Sequence, residues 1–129
     1  MKKYTVFLCV VSVLVFAQDK KEGKEVKEGE MKQYFLVLLK RGPVRNQDST
    51  TSEKIQAAHI ANIERLYKKG KIDIAGPFGH DGDLRGIFIF NCETYDEVLA
   101  LCNTDPAIKA GKLIAEIYPW WCAKGSKLR

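Results

Sequence analysis

From Gln33 onward, apolar residues gather in short runs separated by polar turns. Gln33–Arg41 (QYFLVLLKR) is aromatic and branched and stops at Gly42-Pro43, which predicts a first strand. Gly42 to Ser49 is polar with a proline and reads as a loop. Thr50 followed by Glu53 is a capping-box pattern. It predicts a helix from about Thr51 to Lys69, with Gly70 as its C-cap. Ile72 and Ile74 alternate with Asp73 and Ala75 in a second strand that ends in Gly76-Pro77, and residues 79–86 (GHDGDLRG) are turn-rich. Ile87–Phe90 predicts a third strand, buried on both faces by its composition. Thr94 with Glu97 repeats the capping box and opens a second helix, which Asn103 or Thr104 breaks. Asp105-Pro106 starts a further short turn, with Asp as N-cap and Pro at the first helical position, and Gly111 closes it. Lys112–Tyr118 is the fourth strand, followed by Pro119-Trp120-Trp121.

The order β-α-β-β-α-β implies an α+β, ferredoxin-like arrangement: one antiparallel sheet with both helices on one face. On this reading Phe35, Val37, Phe88 and Phe90 cannot all sit under two helices. The apolar open face is expected to pack on a second copy, giving a homodimer with sheet facing sheet.

The first 32 residues follow other patterns. Met1-Lys2-Lys3 is a short positive stretch, Tyr4 to Phe16 is apolar, and Val15-Phe16-Ala17 fits a small-residue cleavage site. This predicts a signal peptide over residues 1–17, with an exported, periplasmic or extracellular product. The apolar run is short of the roughly 20 residues of a membrane span, so no stable membrane anchor is expected after cleavage. Cys9 lies inside that run with the wrong neighbours for a lipoprotein cysteine. Residues 18–32 alternate Lys and Glu around Gly23 and Gly29 and read as a disordered tether, which leaves 33–129 as the folded domain.

Charge adds little. The chain of 129 residues carries +5. Loss of Lys2 and Lys3 with the leader leaves 19 basic against 16 acidic residues, or +3. That is too mild to imply a nucleic-acid surface. The third strand only loosely echoes an RNA-binding consensus, and nucleic acid is not an expected partner. Cys92, Cys102 and Cys122 lack the Cys-x-x-Cys spacing of a zinc or redox pair, and an odd number cannot all pair within one chain. An oxidising compartment permits one disulfide among them.

His59 is the leading chemical candidate. On a helix, Ile55 and Ile63 lie about 40° either side of it and Leu66 about 20° away, so it sits within the apolar stripe. Imidazole titrates near neutrality and serves as acid or base, though a lone buried histidine is more often a satisfied core residue. Arg65 lies about 240° round the helix and points away. Asp105 is the second candidate. As an N-cap it accepts backbone N–H groups, and its other oxygen is free to orient His59. Gly76-Pro77 offers a close backbone approach and a stiff bend, or an ordinary strand end. Asp81 and Arg85 flank Gly82 in a loop that either meets a polar substrate or is a solvated hairpin. Asp81-x-Asp83 lacks the remaining ligands of a calcium loop, so no metal site is expected. Trp120 and Trp121 either line a pocket or cover a sheet edge or dimer seam. His80 reads as solvated. No glycine-rich phosphate loop, His-Glu-x-x-His or Gly-x-Ser-x-Gly motif is present.

Taken in order, several of these features resemble the YCII-related family. They are His59 with Arg65 in a helix closed by Gly70, then Ile74-Ala75-Gly76-Pro77 and the loop with Asp81-Gly82. Strand 86–91, Asp105-Pro106, and Gly111 before a strand ending at Pro119-Trp120 complete the set. The resemblance covers about residues 33–121, and the ordered set is more specific than any one piece. It implies a dimeric α/β barrel with a site centred on His59, paired with Asp105 or, in competition, Asp81. Beside it, the residues themselves offer Gly76, Pro77, Asp81, Arg85 and Trp120 as candidate ligand contacts, with Arg85 rather than Arg65 expected to meet an anionic group. Family members include a dehydrochlorinase of a chlorinated hydroxyhydroquinone, and the fold resembles muconolactone isomerase. The implied chemistry is proton transfer or elimination on a small cyclic or aromatic acid, with neither metal nor organic cofactor. Two function classes stay open at this point. One is a lyase or isomerase in which His59 moves a proton and Asp105 orients it. The other is a non-catalytic ligand-binding or structural dimer.

Overall fold

The computed structural model describes residue 27 and residues 29–129. The expected signal peptide, Cys9 and most of the Lys/Glu tether lie outside the described residues. The elements run β1 (Met31–Arg41), α1 (Ser49–Lys68), β2 (Ile72–Pro77), β3 (Leu84–Phe90), α2 (Tyr95–Cys102), α3 (Pro106–Lys109) and β4 (Leu113–Ala123). The four strands form one antiparallel sheet in the order β2-β3-β1-β4, the ferredoxin-like topology expected from the element order.

Met31 and Lys32, expected in the tether, open β1, and β3 begins at Leu84 rather than Ile87. Three further boundaries differ from the sequence reading, each for a local reason. The N-cap of α1 is Asp48 rather than Thr50, because the Asp48 carboxylate accepts the Thr51 N–H at 2.6 Å. The C-cap is Lys69, and Gly70 follows in the left-handed region at φ +67°. β4 continues through Pro119 to Ala123 instead of stopping at Tyr118. It is an edge strand, where a residue without an N–H costs no ladder bond. The other caps follow the sequence: Thr94 accepts from the Glu97 N–H, and Asp105 caps α3 with Pro106 behind it.

The helices cover one face of the sheet. Phe35, Val37, Phe88 and Phe90 all lie on that face, in one cluster with Leu66, Ile72, Val98 and Cys102. The expectation that they cannot share it is therefore wrong. Phe35 pairs with Phe90 and Val37 with Phe88, and residues two apart on a strand point the same way, so all four share a side. β3 is likewise not buried on both faces. Gly86, Phe88 and Phe90 are buried, whereas Ile87 and Ile89 are only partly covered. The open face carries the alternate set: Tyr34, Leu36 and Leu38 of β1, Ile87 and Ile89 of β3, and Ile114, Tyr118 and Trp120 of β4. Ile114 and Tyr118 are each nearly half exposed there.

Candidate active site

α1 presents a narrow buried stripe on which His59 and Leu66 are the fully buried residues. The α2–α3 connection brings a carboxylate to the same place. α2 ends at Cys102 with Asn103 as C-cap, the Asp105 N–H donates to the Cys102 carbonyl, and Asp105 then caps α3 by accepting the Ala107 N–H at 2.8 Å. Arg65 steadies the junction from the outer side of α1, donating to Asn62 and to the Thr104 hydroxyl. It is exposed, as its helical angle predicts.

The Asp105 side chain is 1% exposed and lies 2.7 and 2.9 Å from Nδ1 of His59 through its two oxygens. An ionised carboxylate only accepts, so against the Asp105 carboxylate it is the Nδ1–H of His59 that donates. That fixes the tautomer and leaves the lone pair on Nε2. Among the described residues no hydrogen bond reaches Nε2, yet no buried side-chain nitrogen or oxygen lacks a partner. Nε2 is therefore open, and it opens to a cavity. The Phe88 ring lies 6.2 Å from the imidazole and forms part of the apolar wall.

That cavity has a volume of about 310 Å³ and lies between α1 and the β2–β3 end of the sheet. Its wall includes His59, Ile60, Ile63, Gly76, Pro77 and Arg85. Gly86 makes the approach of the two strands possible: a Cβ there would meet the Gly76 carbonyl at 2.7 Å. Sequence reasoning missed Gly86 and Gln56 as wall residues. A glycine inside an apolar strand was the available sign for the first, and no local pattern marks Gln56.

Two of the expected site residues are placed elsewhere. Asp81 does not compete for His59. It is exposed and accepts from Arg41 and Arg85, each at 2.7 Å, and these cations hold its carboxyl below the usual range, Arg85 first. Trp120 does not reach this cavity within one chain. It pairs with Tyr34 on the open face, the two rings 6.5 Å apart, and helps line a separate cavity of about 610 Å³. Strand alternation decides this, since Trp120 has the opposite parity from Pro119 and Ile117. His80 is exposed and packs edge-on against Phe78. Among the described residues, Cys92, Cys102 and Cys122 are free thiols. Desolvation raises Cys92 to about 11 and Cys102 to about 12, so both stay protonated at neutral pH and behave as small core residues.

The YCII-related domain matches residues 13–121. The match starts ahead of the domain start expected at residue 33 and includes part of the stretch outside the described residues. No curated protein matches the chain. Among solved structures, the chain is similar to 5-chloro-2-hydroxyhydroquinone dehydrochlorinase from Burkholderia phenoliruptrix AC1100, in complex with 2,5-dihydroxybenzoquinone. The identity is 30% and the TM-score 0.52, over 67% of this chain and 92% of that one.

Proposed function

The chain belongs to the YCII-related domain family, and from that premise we propose that it is an acid–base enzyme acting on a small ring compound. One observation carries the reading. A buried carboxylate holds the proton of His59 on Nδ1, which leaves Nε2 as an open base in an apolar-walled cavity. The cavity volume is at the lower end of the roughly 300–1,000 Å³ of small-molecule sites, a size for one ring rather than a polymer.

The chemistry is proton transfer or elimination. Nε2 takes a proton from the substrate, and the electron pair left behind expels a leaving group as an anion. Asp105 stabilises the imidazolium and holds the ring in orientation without taking the proton itself. Return of the proton to solvent restores the base. Gly76 and Pro77 shape the wall, and Arg85 supplies positive charge at the rim. The similar enzyme from Burkholderia removes HCl from a chlorinated hydroxyhydroquinone, so that compound is the first substrate to offer.

The test follows chloride release from 5-chloro-2-hydroxyhydroquinone, then turnover of lactones and aromatic acids, by wild type and His59→Gln. The variant should keep the wild-type far-ultraviolet spectrum and lose about 10²- to 10⁴-fold in kcat/KM. Equal turnover by a folded His59→Gln protein would sink the reading.

Two wider proposals accompany it. The leader pattern supports export with cleavage after Ala17. The exposed Ile114 and Tyr118, with Leu36, Leu38, Ile87 and Ile89 beside them, support a homodimer through the open sheet face. Sedimentation equilibrium should give twice the chain mass for wild type and a monomer for Tyr118→Lys.

A further inference from the structure

Beside the His59 cavity, two arginines share one carboxylate. Arg41 ends β1 and Arg85 lies near the start of β3, which pairs with β1 in the sheet. Arg41 Nη2 and Arg85 Nη1 each lie 2.7 Å from the same oxygen of Asp81, Oδ1. Two like charges brought to one point repel unless an anion sits between them, and Asp81 supplies that anion. Arg85 also belongs to the cavity wall, so the doubly cationic point adjoins the space that Nε2 faces.

Asp81 is the least secured of the three side chains. Its side chain is 83% exposed, against 39% for Arg41 and 35% for Arg85. The loop is anchored by backbone at its two ends, where the Phe78 N–H donates to the Arg85 carbonyl and the Arg41 N–H to the Asp83 carbonyl. Between those anchors the arginines hold Asp81 and, at 3.3 and 3.4 Å, the Gly82 carbonyl. An exposed carboxylate held in this way exchanges readily with another anion, because water compensates it when it leaves.

We propose that Asp81 is a resident counter-ion that an anionic ring substrate displaces, so that Arg85 and Arg41 together select ionised substrates for the His59 cavity. The inference rests on the acid–base reading above and adds the substrate class. That class is a ring bearing a carboxylate, or a hydroxyquinone whose hydroxyl is conjugated to a carbonyl and ionises like a carboxylic acid. Arg41 becomes a specificity residue although it does not line the cavity. Asp81 becomes a competitor of substrate rather than a ligand for it.

The unusual consequence is that removing Asp81 should improve binding. The measurement is titration calorimetry at neutral pH with 2,5-dihydroxybenzoquinone as the anionic probe and hydroquinone as its neutral counterpart. Asp81→Asn should bind the anion about three- to tenfold more tightly, the effect of releasing two exposed ion pairs, and bind hydroquinone as wild type does. Arg41→Gln and Arg85→Gln should each weaken the anion and spare hydroquinone. Equal or weaker anion binding by Asp81→Asn overturns the proposal, and so does a protein that binds the anion in neither form. His59→Gln separates the two readings. If Asp81→Asn tightens the anion while His59→Gln retains full turnover, the counter-ion exchange stands and the acid–base role of His59 falls.

Discussion

Two carboxylate contacts of nearly the same length lie in opposite surroundings. Asp105 meets His59 at 2.7 Å inside the core, and Asp81 meets Arg41 and Arg85 at 2.7 Å in solvent. Distance alone would rank them equal, but burial does not. Asp105 is 1% exposed and simultaneously caps α3, so its bonds are part of the packing of α1 against α3. A polar group buried there must keep its partner, because no water replaces it. Asp81 can change partners at little cost, since exposed pairs are worth little and are screened by salt. On the proposed reading, the first contact orients a base and the second is exchanged. The comparison teaches that the chemical use of a polar pair follows from what would solvate its members if they separated.

The largest effect should come from breaking the buried contact. Asp105→Ala removes a helix cap, worth about 1 kcal/mol. It also leaves the Nδ1–H of His59 without an acceptor in the core, at about 1–3 kcal/mol more. Urea denaturation should therefore show a loss of about 3 kcal/mol. Asp105→Asn keeps an acceptor oxygen for either the cap or the histidine, and should lose less than half as much. Activity should order differently from stability. Asn no longer stabilises an imidazolium by charge, so Asp105→Asn should lose most turnover while remaining folded. An alanine variant as stable as wild type would remove the distinction between the two contacts.

The buried contact was largely legible in the sequence, and the exposed one was not. The spacing of Ile55, His59, Ile63 and Leu66 places the histidine on the inner stripe of α1, and Asp105-Pro106 declares a helix start. Both signals are local, and the α1–α3 packing needs only to bring them together. Asp81 carries an equally local turn signal, but its partners are set by strand register. Arg41 arrives from 40 residues away because β1 runs beside β3 with a register shift after Leu39. No one-dimensional pattern reports that adjacency. The same limit explains Trp120, whose face depends on the strand continuing in step through Pro119. It explains the four core residues Phe35, Val37, Phe88 and Phe90 as well, since only the pairing of β1 with β3 shows that they share one side.

The smallest effect is the pH response of the exposed contact, and it is the most direct gauge of how that contact is held. Hydrogen bonding from Arg85, then the charge of Arg41, lowers the Asp81 carboxyl below its ordinary value. A carboxyl lowered on folding contributes stability that is present above its unfolded value and lost as pH falls through its folded one. Asp81 is exposed, so that contribution is small, and Asp81→Asn should melt within error of wild type at neutral pH. The carboxyl itself can still be followed by carbon-detected NMR. In wild type its midpoint should fall below that of an isolated aspartate. Arg85→Gln should raise it more than Arg41→Gln, because Arg85 supplies the larger cause. Raising the salt concentration should raise the midpoint too, since these charges face solvent. A midpoint insensitive to both substitutions and to salt would mean that backbone geometry, not the arginines, fixes the Asp81 side chain. Asp81 would then resemble Asp105 and could not act as an exchangeable counter-ion.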